Sequence, residues 1–282
     1  MTADQIDRGF ARLKEGLVHF RRVEGRDDVP PLVLLHASPG SSRGLEPLLR
    51  ALAASGDMPT LIAPDTLGHG DSVRLEEPEP EIGHYADATI RLLDVLGIER
   101  AVIYGAHTGA RIACEAGVLH PDRVTRVIVD GIGEYDAAAQ GELLERYAPE
   151  KAPDDYGTQM IWAFHFVRDQ ALHFPYYERD PAHRLLSRPV PDADALHVAA
   201  LEVLKALGTY HQAYRAAFRY PTCARLALLT RPLVALDAEN ELSTLRDQTR
   251  KLVGAAHYGE IVSAGNSLDT KAAAILSSAR QT

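Results

Sequence analysis

The chain carries little with which to cross-link itself, hold a metal ion or enter a membrane. Its 282 residues include two cysteines, Cys114 and Cys223. They form no C-x-x-C pair and no Cys/His cluster at zinc spacing, which excludes a disulfide framework and a zinc module. A reduced, cytoplasmic protein with no metal site is expected. No apolar run approaches the roughly 20 residues needed to span a bilayer. The start, Met-Thr-Ala-Asp-Gln-Ile-Asp, lacks the basic-then-apolar order of a secretory leader. Positive charge is short as well: 30 Lys and Arg against 39 Asp and Glu leave a net charge of -9. An acidic surface repels nucleic acid and anionic membrane, so neither is expected as a partner.

What the chain does have is a series of short apolar runs: Leu32–His36, Thr60–Asp65, Ala101–Ala106, Val124–Asp130, Pro232–Leu236 and Gly259–Ser263. Leu32–His36 is continuous enough to read as a strand covered on both faces, and the others read as strands of the same sheet. Residues 17–23 alternate more weakly, as a strand at a sheet edge does. Helical patterns fall at 45–54, 82–97 and 268–280. Alternating strands and helices predict right-handed crossovers and a mostly parallel central sheet flanked by helices, an α/β fold. Composition changes from residue 133 to 227, which lacks sheet-type runs and holds the single tryptophan and eight of the eleven tyrosines. Pro175, Pro181, Pro189 and Pro191 break that stretch into helix-like pieces. It reads as a helical cap inserted into a core made of residues 1–132 and 228–282.

The centre of the pattern is Tyr104-Gly105-Ala106-His107-Thr108-Gly109, where an apolar run turns directly into an alanine-rich helix. Two glycines, each two positions from His107, let neighbouring backbone crowd the turn, so that its apex projects from a strained conformation. The spacing is that of a nucleophile elbow, G-x-Nuc-x-G, with histidine at the apex.

Together with Leu-Leu-His-Ala-Ser-Pro-Gly-Ser-Ser at 34–42 and Ala-Pro-Asp-Thr-Leu-Gly-His-Gly-Asp-Ser at 63–72, this elbow resembles the α/β-hydrolase superfamily, in its capped subset. The first segment is similar to the family's oxyanion loop and the second to its D-x-x-G-x-G-x-S turn. The resemblance implies an acid after a late strand, where Glu241 fits the pattern best and Asp237 and Glu239 compete. It also implies a histidine near the C-terminus, and Asn266 stands there instead. With His107 and Asn266 at two of the three triad positions, serine-esterase chemistry and aspartate-nucleophile chemistry are both excluded.

The partial positive charge at the head of a helix disfavours an imidazolium, so His107 is expected to be neutral near pH 7 and competent as a general base or nucleophile. Backbone N–H groups of Thr108 and of the Ala37-Ser38 loop supply an oxyanion hole. Glu241 and Asn266 orient the histidine, the substrate or a water. Ala37, Trp162, His165, Tyr176 and Tyr177 are expected at the substrate, while Arg168 and Asp169 form either a salt-bridged anchor or a ligand contact. His36 braces the oxyanion loop, Asp65 and His69 stabilise a turn, and Cys114 is core.

The expected function is cofactor-free catalysis on a small carbonyl compound, by hydrolysis of an ester, lactone or activated C–C bond. Two alternatives stand beside it: a lyase or isomerase working by proton abstraction, and a ligand-binding protein on a hydrolase scaffold. A homodimer is the default assembly.

Overall fold

Successive residues of a strand point to opposite faces, so a run that is apolar throughout needs cover on both sides. The computed structural model describes residues 5–185, 189–237 and 243–280, the side chains of 243–246 apart. Within them β1 (Asp7–Arg12), β2 (Leu17–Val23), β3 (Leu32–Leu35), β4 (Leu61–Pro64), β5 (Ala101–Ala106), β6 (Val124–Asp130), β7 (Leu233–Asp237) and β8 (Gly259–Ser263) form one sheet. Its order is β1-β2-β4-β3-β5-β6-β7-β8. The pairs β1/β2 and β2/β4 are antiparallel, and every other pair is parallel. Helices α1 (Glu46–Ala53), α2 (Ile82–Val95) and α3 (Thr108–Leu119) follow β3, β4 and β5.

Val33, Leu35, Ile62, Ile103 and Val127 pack on one face with residues of α2 and α3. Their neighbours Leu32, Leu34, Leu61, Tyr104 and Ile128 pack on the other with α1 and with α10 (Leu268–Arg280), the last helix. The α/β architecture is therefore as expected, with one correction. β2 lies inside the sheet, and the edge belongs to β1. The sequence of β1, Asp-Arg-Gly-Phe-Ala-Arg, is mostly exposed and carries no apolar pattern by which to read it.

Between β6 and β7 the chain runs through α4 (Ala137–Arg146), α5 (Thr158–Leu172), α6 (Ala193–Lys205), α7 (Tyr210–Arg219) and α8 (Thr222–Leu226). These helices share an apolar cluster of their own, built on Leu143, Phe166, Val203, Tyr210 and Phe218. Polar ties hold them to the sheet side: the Tyr214 hydroxyl donates to the Ser38 carbonyl at 2.6 Å and Thr209 Oγ1 to the Gly68 carbonyl at 2.5 Å. A helix α9 (Ser243–Val253) lies between β7 and β8.

The turn after β4 is held by Asp65, which accepts from Ser42 N at 2.8 Å, Ser42 Oγ at 2.5 Å and Asp71 N at 2.9 Å, and pairs with His19 Nδ1 at 3.0 Å. Burial works against its ionisation, but these donors prevail and hold its carboxyl well below the ordinary range. His19, Asp65 and Asp71 bring potential ligand atoms within 4.8 Å of one another. Asp65 is committed to the turn, however, and Asp71 pairs with Lys205 at 2.9 Å. His36 accepts the Thr66 N–H on Nε2 at 3.0 Å and meets the Ala37 carbonyl through Nδ1 at 3.0 Å, which assigns its proton to Nδ1. It braces the loop, as expected.

Burial lowers the pKa of His36, and burial together with His36 pushes His69 down to about 3. Both rings are neutral in the fold, whereas unfolded histidine takes a proton near pH ~6.5. The unfolded chain thus binds more protons on the acid side, and stability that is full above pH ~6.5 is lost progressively toward pH 3. Denaturant unfolding at pH 7.5 and 4.5 should give a lower free energy at 4.5, with a shallower fall in His69→Gln. Equal stability at the two pH values would contradict the assignment.

Candidate active site

β5 ends at Ala106 and α3 begins at Thr108, which leaves one residue to reverse the chain. That residue, His107, takes φ 48° and ψ -101° and is the one non-glycine with positive φ among the described residues. Such a conformation costs a non-glycine residue about 1–3 kcal/mol. The flanking glycines make it possible. A Cβ on Gly105 would lie 2.0 Å from the Gly109 carbonyl oxygen, and one on Gly109 would lie 2.3 Å from that of Leu35.

The His107 N–H donates to the Asp130 carbonyl at 2.9 Å, tying the elbow to the end of β6. The first backbone donors within α3 are those of Ala110 and Arg111, both to His107 O. Thr108 and Gly109 precede them, at the positions where a helix leaves its N–H groups open to an anion.

The imidazole sits over Gly131, where an added Cβ would meet Cε1 at 2.5 Å and Nδ1 at 2.6 Å. Gly131 also has φ +76°. Gly131→Ala should displace the ring without removing it, lowering turnover about 10²-fold and stability by about 1 kcal/mol. Kinetics and thermal denaturation of the purified variant check this. Unchanged turnover would mean that the seat of the ring is irrelevant.

Behind the elbow, Asp130 Oδ2 accepts from the Tyr104 hydroxyl at 2.8 Å and from Lys271 Nζ of α10 at 2.7 Å. Burial opposes a charge on Asp130. The Lys271 ammonium, first by its charge and then by its hydrogen bond, leads the groups that outweigh burial and hold the carboxyl below its usual range, with His107 and Tyr104 adding to it. Tyr104 itself is pushed well above the phenol range, by burial and by that same carboxylate.

A cavity of about 230 Å³ opens above the elbow. Ser38, His107, Thr108 and Gly131 form its floor, and Arg111, Tyr135, Tyr147, Gln170, Tyr214 and Phe218 stand in its walls. Among the described lining residues His107 is the only imidazole, and none is a carboxylate.

The structure therefore brings Ser38, His107 and Thr108 together at one cavity. Ala37 stands behind Ser38, its carbonyl accepting from Gly40 N at 3.0 Å. Trp162, His165, Tyr176 and Tyr177, expected at the substrate, are not among the residues that line this cavity. Trp162 stacks on Phe166 with ring centroids 4.8 Å apart, and His165 is exposed. Tyr176 and Tyr177 pack edge-on against Tyr147, at 5.2 Å and 6.3 Å, one layer behind the wall that Tyr147 forms. α5 turns Gln170 to the cavity, and five residues at 3.6 per turn put His165 about 140° away around the helix. Arg168 is an ion-pair anchor, bonded to the buried Asp169 at 2.8 Å.

Asn266 is exposed in the turn before α10 and does not line the cavity. Asp237 pairs with Arg250 at 3.4 Å, and Glu239 and Glu241 lie outside the described residues. Cys114 is fully buried, its thiol pushed up to about 12 by burial.

Sequence reasoning missed Arg111, Asp130, Tyr104 and Lys271. A signal existed for the first, since a charged residue four positions after the apex shares its helix face.

A family model described as the alpha/beta hydrolase fold matches residues 30–246. The chain is 33% identical over 102 residues to a 2-hydroxymuconate semialdehyde hydrolase of Pseudomonas putida, covering 36% of each chain. It is 38% identical over 112 residues to epoxide hydrolase A of Mycobacterium tuberculosis, covering 39% of this chain and 34% of that one. The matches thus span about a third of the length of these curated relatives. Among solved structures, a hydrolase from Pseudomonas aeruginosa PA01 superposes with a TM-score of 0.71 at 18% identity, covering 98% of this chain and 99% of the other. At that identity the likeness speaks for the fold alone.

Proposed function

This chain belongs to the alpha/beta hydrolase fold family, and on that premise we propose a cofactor-free hydrolase of a small carbonyl compound, with His107 as general base or nucleophile. The observation that carries the proposal is the strained His107 at the head of α3, opening with Thr108 and Ser38 onto one cavity. In the base form of the reaction, the imidazole takes a proton from water as the water oxygen attacks the carbonyl carbon. The carbonyl oxygen then gains charge opposite the Thr108 N–H and an N–H of the Ala37-Ser38 loop. One such donor is worth about 2.7–4 kcal/mol of transition-state stabilisation. Glu241, on its motif, is the orienting carboxylate, and residues 133–227 form the cap that closes over the elbow. The exposed position of Asn266 supports no catalytic part for it. The names of the semialdehyde hydrolase and epoxide hydrolase relatives support hydrolysis of a small compound; an ester, lactone or activated C–C bond is the substrate class proposed from the site.

A second reading, proton abstraction beside a carbonyl by a lyase or isomerase, draws on one observation. The described lining offers a single base, His107, and that reaction asks for one base and one oxyanion site.

The test is a proton NMR time course in D2O with esters, lactones, β-diketones and hydroxy ketones. New acid and alcohol signals, or cleavage products of a diketone, support hydrolysis. Deuterium exchange at an enolisable carbon without cleavage moves the assignment to the second reading. Tight binding with no chemistry would overturn both in favour of a ligand-binding protein.

A further inference from the structure

Among the described residues lining the cavity Arg111 is the one with a cationic side chain that the reaction does not use. Its side chain lies on α3, one turn after His107, and the residue is 5% exposed. Nη1 donates to the His107 carbonyl at 3.2 Å and Nη2 to the Gly133 carbonyl at 2.6 Å. Nε is buried with no hydrogen-bond partner. A guanidinium offers five N–H donors and remains charged at any working pH. Two carbonyls satisfy two of the donors and none of the charge. Glu115, the acid one turn further along α3, is committed to Arg225 at 2.8 Å and to the Tyr220 hydroxyl at 2.9 Å. None of the described residues lining the cavity carries a negative charge. Burying a cation without a counter-ion is costly, and among the described residues this guanidinium, 3.2 Å from the elbow's own carbonyl, has carbonyl partners and no carboxylate.

We propose that Arg111 is a substrate-binding residue for a carboxylate, so that the cavity takes a small carboxylate-bearing carbonyl compound whose charge the guanidinium neutralises. This rests on the reading of the cavity as a substrate site. A carboxylate matches the planar fork of a guanidinium better than a neutral oxygen does. Tyr135 stands against that guanidinium at 5.9 Å, and Phe218 packs edge-on to Tyr135 at 5.6 Å, which gives the rest of the ligand an aromatic wall. The volume of about 230 Å³ is below the ~300–1,000 Å³ of common ligand sites, so the body is small. The bonds to His107 and Gly133 hold the guanidinium in place before the ligand arrives.

The test compares carboxylates with their own primary amides, isosteres that lack the charge. Calorimetric titrations would use acetate, pyruvate, phenylacetate and 3-phenylpropionate, each against its amide, on wild type, Arg111→Lys, Arg111→Gln and His107→Ala. At least one carboxylate should bind wild type about tenfold or more tighter than its amide. Arg111→Lys should keep part of that preference and Arg111→Gln should bring the ratio to about one. A panel in which no carboxylate is preferred by wild type overturns the proposal, and so does a preference that survives in Arg111→Gln. The wild-type ratio needs no variant, so a folding defect in Arg111→Gln leaves the test decisive. Binding also needs no turnover. A carboxylate preference kept in His107→Ala supports the subsite whatever happens to the catalytic reading, and His107-dependent turnover without any such preference separates the two the other way.

Discussion

Replacing His107 with alanine is expected to lower kcat by about 10²–10⁴-fold, the usual contribution of a positioned acid or base. The residual rate would come from the backbone oxyanion hole, which the substitution leaves in place. The same position predicts an opposite effect on stability. His107 holds φ 48° and ψ -101°, a conformation that glycine adopts without penalty. His107→Gly relieves about 1–3 kcal/mol of strain and gives back about 0.4–1 kcal/mol through a freer unfolded chain. The net is a gain of about 1 kcal/mol, a rise in Tm of roughly 2–4 °C. Thermal denaturation and steady-state kinetics on one preparation check both halves. A variant that is inactive and more stable marks strain retained for function. A variant that is active, or less stable, removes either the catalytic role or the strain.

The second large effect falls on Asp130. It is 8% exposed, and its Oδ2 joins Tyr104 to Lys271 behind the elbow. Asp130→Asn leaves the Lys271 ammonium, with a side chain 27% exposed, beside a neutral amide. Breaking such a pair costs about 3 kcal/mol, at the lower end for buried pairs because Lys271 keeps some contact with water. For a domain of this size that is a fall in Tm of roughly 6–12 °C. Adding Lys271→Met removes the unpaired cation and should restore most of the loss. The pair is also sensitive to acid. Because the folded pKa of Asp130 is depressed, its contribution is complete above the unfolded value near ~3.8 and is lost as pH falls through the lower folded value. Equal Tm values for wild type and Asp130→Asn at pH 7 would show that the pair contributes nothing.

The elbow was legible in the sequence because its physics is local. Gly105 and Gly109 are required by backbone contacts 2.0–2.3 Å from where a Cβ would stand, and glycine spacing is visible without a fold. The apolar runs that became β3 to β7 were legible for a similar reason, since cover on both faces leaves few polar residues in them, Thr125 and Arg126 inside β6 being the exception. β1 was missed because it is short and largely exposed and borrows its order from pairing with β2. The support behind the elbow was hidden by distance: Asp130 and Lys271 are 141 residues apart and meet only once α10 has packed on β6. Trp162 and His165 lie away from the cavity lining for a third reason. Composition showed an aromatic helix, but which of its faces looks at the cavity depends on how α5 packs, and Gln170 took that place.

The most direct test of the account is a proton NMR time course in D2O on wild type and His107→Ala at matched concentrations, with the carbonyl panel and the carboxylate-bearing members included. The account predicts new product signals with wild type and, at the same time points, none above background with His107→Ala, while both proteins give the same folded spectrum. Equal turnover by the two proteins would contradict it, because the chemistry would then belong to a residue other than the one at the apex of the elbow.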